Sequence, residues 1–408
     1  MNRDQRHLPC IAPLENPVQQ YAWGNTQGIL PFIEAKAGPG YPIGEVWMGS
    51  HRLAPSKLRL DAGPLPLDAL IRQAPLHWLG TRVADQYHDL PFLFKVLAAG
   101  SPLSLQVHPT LEEAREGFAK EERAGIPLSA PQRIFKDSNH KPELAVALTP
   151  FRAIAGFRES SEISDLLGPE LCRAFNFKGQ RPEELRNFVR HVFSKKGDAY
   201  KIPEAGLRAR AEELLRSNSE RAREAGAMAL DLQALYPHDP GQFGPLILNI
   251  LSLEPGEGLF VPAGVIHAYV RGSILEIMAC SDNVIRAGLT IKHIDVDLLC
   301  DILKPEARPE PIRPDRGHFG WGSRVVYAVP AREFRLECLD ANPEGAAISY
   351  APAGPEILLC TEGSFRVRAE DELALPARAS CFVAGSCTAV RLEGAGRLWR
   401  ATSGEQAL

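Results

Sequence analysis

The sequence predicts a mainly β protein with a helical insertion, followed by a second β domain. Three observations support this prediction. Up to about residue 155, short apolar runs such as YPIGEVWMGSH and LPFLFKVLAAGSP are punctuated by Gly and Pro, which is typical of strands with tight connections. Residues 158–235 instead carry apolar side chains three and four positions apart, as helices do. Short strand-like segments at regular spacing then return and continue towards the C-terminus.

Taken in order, the segments define three units. The first β region contains a helical interlude at about residues 65–90 and again at 110–125. The helical block has capping residues and acidic starts, which predict three or four consecutive helices. A Pro- and Arg-rich stretch, KPEARPEPIRPDRG, is typical of a linker. We therefore predict a first β domain from residues 1–157 and 238–305, an inserted helical domain at 158–237, and a second β domain at 306–408.

The composition argues against several classes of protein. The chain has 408 residues and a formal net charge of −4, whereas a nucleic-acid-binding protein usually has a basic excess. Its first ten residues lack the apolar run of a signal peptide, and no uncharged segment has the length of a membrane span. We therefore expect a cytoplasmic protein without nucleic-acid or membrane partners. The eight cysteines are scattered without a CxxC pair, so a metal site would use N and O ligands.

The stretch SLQVHPT places polar side chains at alternate positions. Side chains two apart on a strand point to the same face, so Ser104, Gln106 and His108 share one side of a predicted strand. Leu103, Leu105 and Val107 share the other side and would pack outward. Alternation alone does not distinguish a half-exposed strand from a polar wall inside a barrel.

Two further segments carry side chains that bind metals. In SNHKPELAVAL, Glu143 would share a strand face with two alanines, which leaves room for a bulky group beside the carboxylate. In FVPAGVIHAYV, His267 begins a strand three residues after Gly264. Together with Gln106 and His108, these residues would give a dication two imidazoles, one carboxylate and one amide, and a net charge of +1.

Charged residues accompany this set. Glu276 lies inside the apolar run SILEIMAC, where an unpaired carboxylate would be costly. Lys141, Arg286 and Lys292 are cations, which make sense beside a metal if the ligand is a polyanion such as a phosphate ester.

Each residue also has an ordinary structural explanation. His267 could be a hydrogen-bonded histidine near a turn, Gln106 a solvent-facing strand residue, and Glu143 a charged edge position. Arg286 and Lys292 could be the solvated charges of a loop. The residues are weak evidence one by one and strong evidence as a set. The sequence also contains no Walker A motif, no GxGxxG followed by a helix, no HExxH and no GxSxG, which argues against ATP use, a Rossmann cofactor and a serine nucleophile.

Several segments, in order across residues 20–305, carry a family resemblance. They are YAWGNTQGI, GEVWMGSH, SLQVHP, FKDSNHKPELAVALTPFRAIAGF and FVPAGVIHAYVRGSILEIMACSDNVIRAGLTIKHID. These segments closely resemble the type I mannose-6-phosphate isomerases, also called phosphomannose isomerases. The resemblance implies a cupin fold, with two jelly-roll barrels and a helical domain inserted in the first. Residues 306–408 resemble the family only in their general pattern of short strands.

The resemblance also implies roles for individual residues. One zinc ion per chain would be held by Gln106, His108, Glu143 and His267. The residues that match catalytic positions of the family are Lys141, Glu276, Asp282 and Arg286. His140 aligns with a residue that lines the same pocket, and it is a further catalytic candidate. The residues expected to bind substrate or line the pocket are Lys292, Ser104, Lys95, Trp23 and Glu45.

The implied activity is the zinc-dependent interconversion of mannose 6-phosphate and fructose 6-phosphate. The expected partner is a small sugar phosphate, and we expect a monomer. Such a shift moves a proton between C1 and C2 through an enediolate, which needs a general acid or base and a cation near the oxygens. We expect zinc, Lys141 and Arg286 to stabilise the enediolate. The proton carrier stays open between Glu276, Asp282, His140 and a water on the metal, and Arg286 or Lys292 could instead hold the phosphate.

Two alternatives belong to other classes. Two histidines and one glutamate also form the facial triad of non-haem Fe(II) cupin oxygenases. Gln106 as a fourth ligand and the neighbouring cations both argue against that class. A non-catalytic sugar-phosphate-binding cupin should lack Lys141, Glu276 or Arg286, and all three are present.

Overall fold

Strands dominate the computed structural model of the chain, which describes residues 8–178, 182–194, 198–309 and 311–404. Strands β1 to β9 are, in chain order, Ile11–Glu15, Val18–Gln20, Ile43–Met48, Lys57–Leu60, Gly63–Pro66, Phe92–Ala99, Leu105–Val107, Glu143–Ala147 and Phe151–Phe157. Strands β10 to β22 are Leu248–Leu253, Gly258–Val261, His267–Ala279, Ile285–Gly288, Pro311–Ile312, Arg316–Phe319, Gly322–Tyr327, Arg335–Ala341, Ile348–Tyr350, Glu356–Arg368, Glu372–Pro376, Ser380–Val383 and Val390–Thr402.

The helices are concentrated between β9 and β10. Helices α1 to α10 are Thr26–Ile29, Leu67–Gln73, Pro75–Tyr87, Leu111–Arg123, Ser160–Ala174, Pro182–Phe193, Asp198–Leu214, Glu220–Leu235, Gly244–Ile247 and Val296–Ile302. A short 3₁₀ helix covers Pro240–Phe243. Helices α5 to α8 are the predicted block, and α2, α3 and α4 fall in the two predicted helical interludes. None of the described helices combines the length and the apolar character that crossing a bilayer requires.

Two antiparallel sheets of eleven strands each organise the chain. The sheet that we call the N-terminal sheet has the order β14-β11-β8-β12-β6-β3-β2, with β7, β9, β10 and β13 attached through β12 and its neighbours. The sheet that we call the C-terminal sheet has the order β15-β16-β17-β22-β19-β21-β1-β4-β5, with β18 and β20 attached.

The prediction of a mainly β chain with a helical insertion is confirmed, and the details differ in three ways. The described strands form open sheets whose hydrogen-bonded order does not close into a ring. A jelly roll is two facing sheets, and their edges need not be hydrogen-bonded to each other. Strand β14 lies within the stretch predicted as a linker and pairs with β11. Strand β1 pairs with β21, so the N-terminal segment contributes to the C-terminal sheet.

Strand β12 connects the two halves of the N-terminal sheet. Residues 267–271 pair with β9, and His267 also pairs with β7. Residues 272–279 pair with β6, and residues 274–278 pair with β8. Gly272 lies at the change of partner with φ of 113°, a conformation that favours glycine, and a Cβ there would lie 2.6 Å from the Pro150 carbonyl oxygen. The bend lets β12 carry side chains into the space between the two halves.

The outer faces of the N-terminal sheet are buried by other parts of the chain. Leu105 and Val107 of β7 pack in a buried cluster with the helices of the insertion. Leu144 and Val146 of β8 pack in a second cluster with residues of the C-terminal sheet. The alternate residues of β8 face the interior, where Ala145 and Ala147 belong to a smaller cluster with Tyr269. This interior holds the polar side chains described next.

Candidate metal centre

Three side chains of metal-binding type meet in the interior of the N-terminal sheet. One ligand atom from each of His108, Glu143 and His267 lies within 4.8 Å of the others. His108 follows β7 directly, Glu143 is the first residue of β8, and His267 is the first residue of β12. All three side chains are buried, with 0%, 1% and 0% exposure for His108, Glu143 and His267. Each residue lies at or next to the end of a strand. Three segments that are distant in the sequence therefore bring their ligand atoms together.

Backbone carbonyls orient both histidines. Nδ1 of His108 lies 2.8 Å from the Asn283 carbonyl oxygen, and Nδ1 of His267 lies 3.0 Å from the Val265 carbonyl oxygen. A carbonyl only accepts, so each Nδ1 donates and each Nε2 keeps its lone pair. Each Nε2 lies 3.4 Å from an oxygen of Glu143. This is the arrangement in which metal-bound histidines are held by a second hydrogen bond.

The charges of the cluster suit a cation. Burial and the positive charge of Lys141 lower the pKa of His108 to about 4, against the opposing effect of the Glu143 carboxylate. Burial raises the pKa of Glu143, but Lys141, His108 and His267 outweigh burial and hold that pKa well below 4.5. At neutral pH the cluster therefore offers a carboxylate and a neutral His108 imidazole.

Two buried atoms of the cluster lack a partner. Within the described residues, Nε2 of His108 and Oε2 of Glu143 form no hydrogen bond. Buried polar atoms are rarely left without a partner, and such an atom calls for an explanation such as an ion. The Gln106 amide nitrogen lies 3.4 Å from Nε2 of His267. Because the two ends of an amide are assigned by their surroundings, rotating the amide presents its oxygen to the same point. The donor set of two imidazoles, a carboxylate and an amide fits a zinc ion.

A cavity of about 350 Å³ opens beside this cluster. Most of the predicted site residues line it: Trp23, Glu45, Lys95, Ser104, Gln106, Lys141, Glu143, Glu276, Asp282, Arg286 and Lys292. His108 and His267 lie behind this lining. Leu103 also lines the cavity, although alternation from Ser104 places it on the opposite face. Regular pairing of this segment begins only at Leu105, so the alternation does not extend to Leu103.

Ion pairs fill the floor of the cavity. Nζ of Lys95 lies 2.9 Å from Glu276 and 3.8 Å from Glu45, and all three side chains are buried. Burial lowers the pKa of Lys95, but the carboxylates of Glu276 and Glu45 outweigh burial and raise it above its usual range. Burial raises the pKa of Glu45, and Lys95 and the Trp47 indole offset part of that shift. The Glu276 carboxylate, which the sequence marked as costly if unpaired, is compensated by Lys95.

Asp282 lies at the rim of the cavity and is ionised. One of its oxygens lies 3.2 Å from Nε2 of His51, and the other lies 3.6 Å from Arg52. Burial raises the pKa of Asp282, but the hydrogen bond with His51 and the nearby positive charges outweigh burial and lower it. The next residue, Asn283, donates from its side chain to two backbone carbonyls, those of Asp137 and Asn139, at 2.8 Å each. This network fixes the loop that also orients His108.

Arg286 and Lys292 face the cavity without compensating charges. In the part of the chain that the structure describes, neither side chain forms an ion pair or a hydrogen bond to another side chain. Burial lowers the pKa of both, and for Lys292 the charges of Arg286 and Lys136 lower it further. Two cations that repel each other at a cavity would be stabilised by an anion.

His140 lies elsewhere. It does not line the cavity, and its Nε2 lies 2.7 Å from Glu333 in the connection between β16 and β17. Lys141 and Glu143 line the cavity, whereas the side chain of His140 is directed to Glu333. Lys141 donates from Nζ to Glu143 inside the cavity. The structure therefore separates His140 from the other catalytic candidates.

Tyr269 lines the cavity and was not among the candidates from the sequence. It lies two residues after His267 on β12, and its buried hydroxyl lies near two carboxylates. Burial raises the pKa of Tyr269 well above 10, and the charges of Glu276 and Glu143 add to that shift. Strand alternation could have identified Tyr269 from the sequence, because a residue two positions after His267 lies on the same face of the strand.

Comparison with known proteins agrees with the geometry. The family model described as phosphomannose isomerase type I, catalytic domain, matches residues 11–160. The mannose-6-phosphate isomerase of Shigella flexneri is 37% identical over 401 residues, which cover 95% of this chain and 98% of the relative. The human mannose-6-phosphate isomerase is 36% identical over 327 residues, which cover 72% of this chain and 73% of the relative.

Solved structures give the same result. The Salmonella typhimurium mannose 6-phosphate isomerase, bound to its substrate fructose 6-phosphate and to zinc, superimposes with a TM-score of 0.87 at 34% identity. The match covers 97% of this chain and 100% of that one. A zinc-bound mannose 6-phosphate isomerase superimposes with a TM-score of 0.86 over the same shares of the two chains. On this evidence, the chain belongs to the type I phosphomannose isomerase family.

Proposed function

We propose that this protein interconverts mannose 6-phosphate and fructose 6-phosphate with the help of one zinc ion. The observation that carries the proposal is the buried cluster of His108, Glu143 and His267, which borders a cavity with two uncompensated cations. The solved relative bound to fructose 6-phosphate and zinc supports the same pairing of a metal with a sugar phosphate.

Gln106, His108, Glu143 and His267 would hold the zinc ion. Within the described residues, two of their buried atoms lack a hydrogen-bond partner, and backbone carbonyls orient both histidines, which fits a metal ion. The single carboxylate would leave the site with a net charge of +1. When bound, zinc supplies a Lewis acid for the oxygens of the sugar. A fourth protein ligand and the neighbouring cations argue against an Fe(II) oxygenase, which keeps open positions for oxygen chemistry.

Arg286 and Lys292 would bind the phosphate group. They are the cations of the cavity that lack a counter-charge within the described residues, whereas Lys95 is paired with Glu276 and Lys141 with Glu143. A phosphate dianion would satisfy both, with the planar guanidinium offering two parallel hydrogen bonds. Binding the phosphate at one end of the cavity would place the sugar carbons towards the metal cluster.

Transfer of the proton between C1 and C2 would fall to a carboxylate facing the cavity. Glu276 and Asp282 meet this condition, and His140 does not because it pairs with Glu333 outside the cavity. A carboxylate that takes the proton from C2 and returns it at C1 would carry the reaction through an enediolate. Lys141, which contacts Glu143 of the metal cluster, would stabilise the negative oxygens of that intermediate.

We propose that the three predicted units act together as a monomer. The helical unit 158–237 and the C-terminal unit 306–408 flank the cavity-bearing unit, 1–157 and 238–305. All of the residues that line the cavity belong to the cavity-bearing unit. Sedimentation of the active protein should give the mass of one chain, and an active species found only as a dimer would contradict this part of the proposal.

A coupled assay tests the function directly. Fructose 6-phosphate formed from mannose 6-phosphate is measured for the protein as purified, after chelation, and after zinc is added back. We expect chelation to abolish turnover and zinc to restore it. Oxygen uptake without isomerisation would favour the oxygenase, and a zinc-replete protein that produces no fructose 6-phosphate would rule the proposal out.

A further inference from the structure

Asp239 lies where the chain leaves the helical insertion, and it contacts a segment of the candidate site. It is the N-cap of the 3₁₀ helix at Pro240–Phe243, where its Oδ1 accepts a hydrogen bond from the Gly241 amide at 2.7 Å. The same Oδ1 accepts from the amide of Leu289 at 2.7 Å, and Oδ2 accepts from the amide of Thr290 at 3.1 Å. A helix cap needs only the first of these bonds. The other two join the exit of the insertion to the segment between Arg286 and Lys292.

The segment that Asp239 holds has an unusual backbone. Leu289 has φ of 54°, in the left-handed region that residues other than glycine seldom adopt, and its side chain is buried. Such a conformation persists only where the surroundings determine it. The carboxylate of Asp239 accepts hydrogen bonds from the backbone amides of residues 289 and 290 and so holds this conformation.

Two glycines allow the close approach. A Cβ at Gly288 would lie 2.8 Å from both the Asp239 Oδ1 and the Gly241 Cα. A Cβ at Gly241 would lie 2.8 Å from the Leu289 Cγ. The exit of the insertion and the end of β13 therefore pack backbone to backbone, with the Asp239 carboxylate between them.

The contact lies between the two cations of the site. Arg286 is in β13 opposite Gln106, and the register of β13 shifts between Arg286 and Gly288. On the other side, the Thr290 hydroxyl accepts a hydrogen bond from the Lys292 amide at 3.1 Å. The backbone from Arg286 to Lys292 is thus fixed at its middle by Asp239, and Lys292 is tied to the fixed part through Thr290.

A second contact from the same exit segment supports this arrangement. The Tyr236 hydroxyl donates to the Pro102 carbonyl oxygen at 2.6 Å, two residues before Ser104 of the cavity lining. The exit of the insertion therefore contacts two segments that frame the cavity.

We propose that Asp239 is a positioning residue that sets the geometry of Arg286 and Lys292 for the phosphate group of the substrate. This inference rests on the proposed function, because it takes those cations as the phosphate site. Asp239 does not line the cavity, so it acts through the backbone of residues 288–292.

The variant Asp239→Asn tests the inference with little change in shape. An amide keeps one acceptor oxygen, but its nitrogen would face the Thr290 amide, donor against donor. We expect KM for mannose 6-phosphate to rise about tenfold while kcat changes by less than about twofold, since the loss concerns a charge-assisted hydrogen bond that holds the phosphate site. Thr290→Ala, which removes the link to Lys292, should raise KM in the same direction with a smaller effect.

The matched control is Asp295→Asn, the same exchange at the N-cap of α10, where Asp295 Oδ1 accepts from the Leu298 amide at 3.0 Å. This control should leave KM unchanged. In a double-mutant cycle, Asp239→Asn should add little to the KM of Lys292→Ala, because both changes affect one interaction. Effects that simply multiply, or an unchanged KM in both Asp239→Asn and Thr290→Ala, would overturn the inference.

Calorimetric binding of mannose 6-phosphate separates this inference from the proposed function. A wild-type protein that turns over normally while Asp239→Asn binds the sugar phosphate equally well contradicts the inference alone. A wild-type protein that binds the sugar phosphate but does not isomerise it contradicts the proposed function, and weaker binding by Asp239→Asn would then still support the positioning role.

Discussion

Glu143 is the residue on which the metal centre depends most. It is the single carboxylate of the cluster, and both histidines lie 3.4 Å from its oxygens. Glu143→Gln keeps the shape but removes the charge, so we expect the protein to lose its zinc and at least about 10³-fold in turnover. Zinc content by atomic absorption and the coupled assay measure the two effects. The exposed Glu254→Gln is the control, and full retention of either zinc or activity in Glu143→Gln would contradict the assignment.

Lys95 gives a second prediction at this scale. Its ammonium group compensates the buried carboxylates of Glu276 and Glu45 on the cavity floor. In Lys95→Met the two carboxylates lose their counter-charge, and removing one partner of a buried pair costs about 3 kcal/mol. We expect that loss in the free energy of unfolding, measured by urea denaturation. The control is Lys57→Met at an exposed strand position, and a Lys95→Met variant as stable as the wild type would show that the floor does not depend on this pair.

The site residues show what a sequence can predict. Gln106 is uninformative alone, and it gains a role because the register places it opposite His267. Tyr269 was missed, although its spacing from His267 was visible, because a tyrosine in an apolar strand is typical of a core. His140 was placed in the pocket by motif, and the structure directs its side chain to the distant Glu333. Direction and pairing are long-range properties, so local patterns predict which residue types meet better than how each one points.

At the scale of elements, α4 begins three residues after His108 of the candidate metal centre. Thr110 and Glu113 form a capping box, in which the Thr110 hydroxyl accepts from the Glu113 amide at 3.2 Å and the Glu113 carboxylate accepts from the Thr110 amide at 2.7 Å. Thr110→Ala should cost about 1 kcal/mol of stability. Because the cap starts beyond the ligand, zinc content should stay unchanged. Thermal denaturation and metal analysis check both parts, with Thr110→Ser as the control that keeps the hydroxyl. A loss of zinc in Thr110→Ala would show that the helix start also holds His108.

The elements also show where local patterns fail. Helices α5 to α8 were predictable because the apolar spacing is contained in each segment, and α8 also has its capping residue Ser219. Strand β14 was hidden in a Pro-rich stretch, since its two residues are strand only because they pair with β11. The partner of β1 was equally hidden, because β21 lies some 370 residues further along the chain. Elements that exist through distant pairing leave little trace in their own sequence.

At the scale of the whole molecule, the C-terminal sheet carries a buried network of charges. Glu337 of β17 is 1% exposed and pairs with Arg324, Arg335 and Arg400. Arg400 of β22 also pairs with the buried Glu356 of β19. Burial raises the pKa of Glu337, but the hydrogen bond from Arg324 and the charges of the three arginines outweigh burial and lower it below 4.5. The network joins four strands of one sheet, β16, β17, β19 and β22, so its ionisation state affects the stability of the sheet as a unit.

This network makes the stability of the protein depend on pH in a defined direction. A carboxylate with a lower pKa in the folded state contributes stability that is present above its unfolded pKa of about 4.5 and is lost as the pH falls through the folded value. We expect Glu337→Gln to lower the free energy of unfolding at pH 7 by about 2 kcal/mol. The difference from the wild type should shrink as the pH falls below 4.5 and through the lowered pKa of Glu337, where the wild-type side chain takes up a proton and also becomes neutral. Denaturant unfolding of both proteins between about pH 3 and 7 measures this. Glu344→Gln, at an exposed carboxylate between β17 and β18, is the control and should show little effect at any pH. A difference between Glu337→Gln and wild type that stays constant across this range would mean that packing, and not the charge of Glu337, stabilises the sheet.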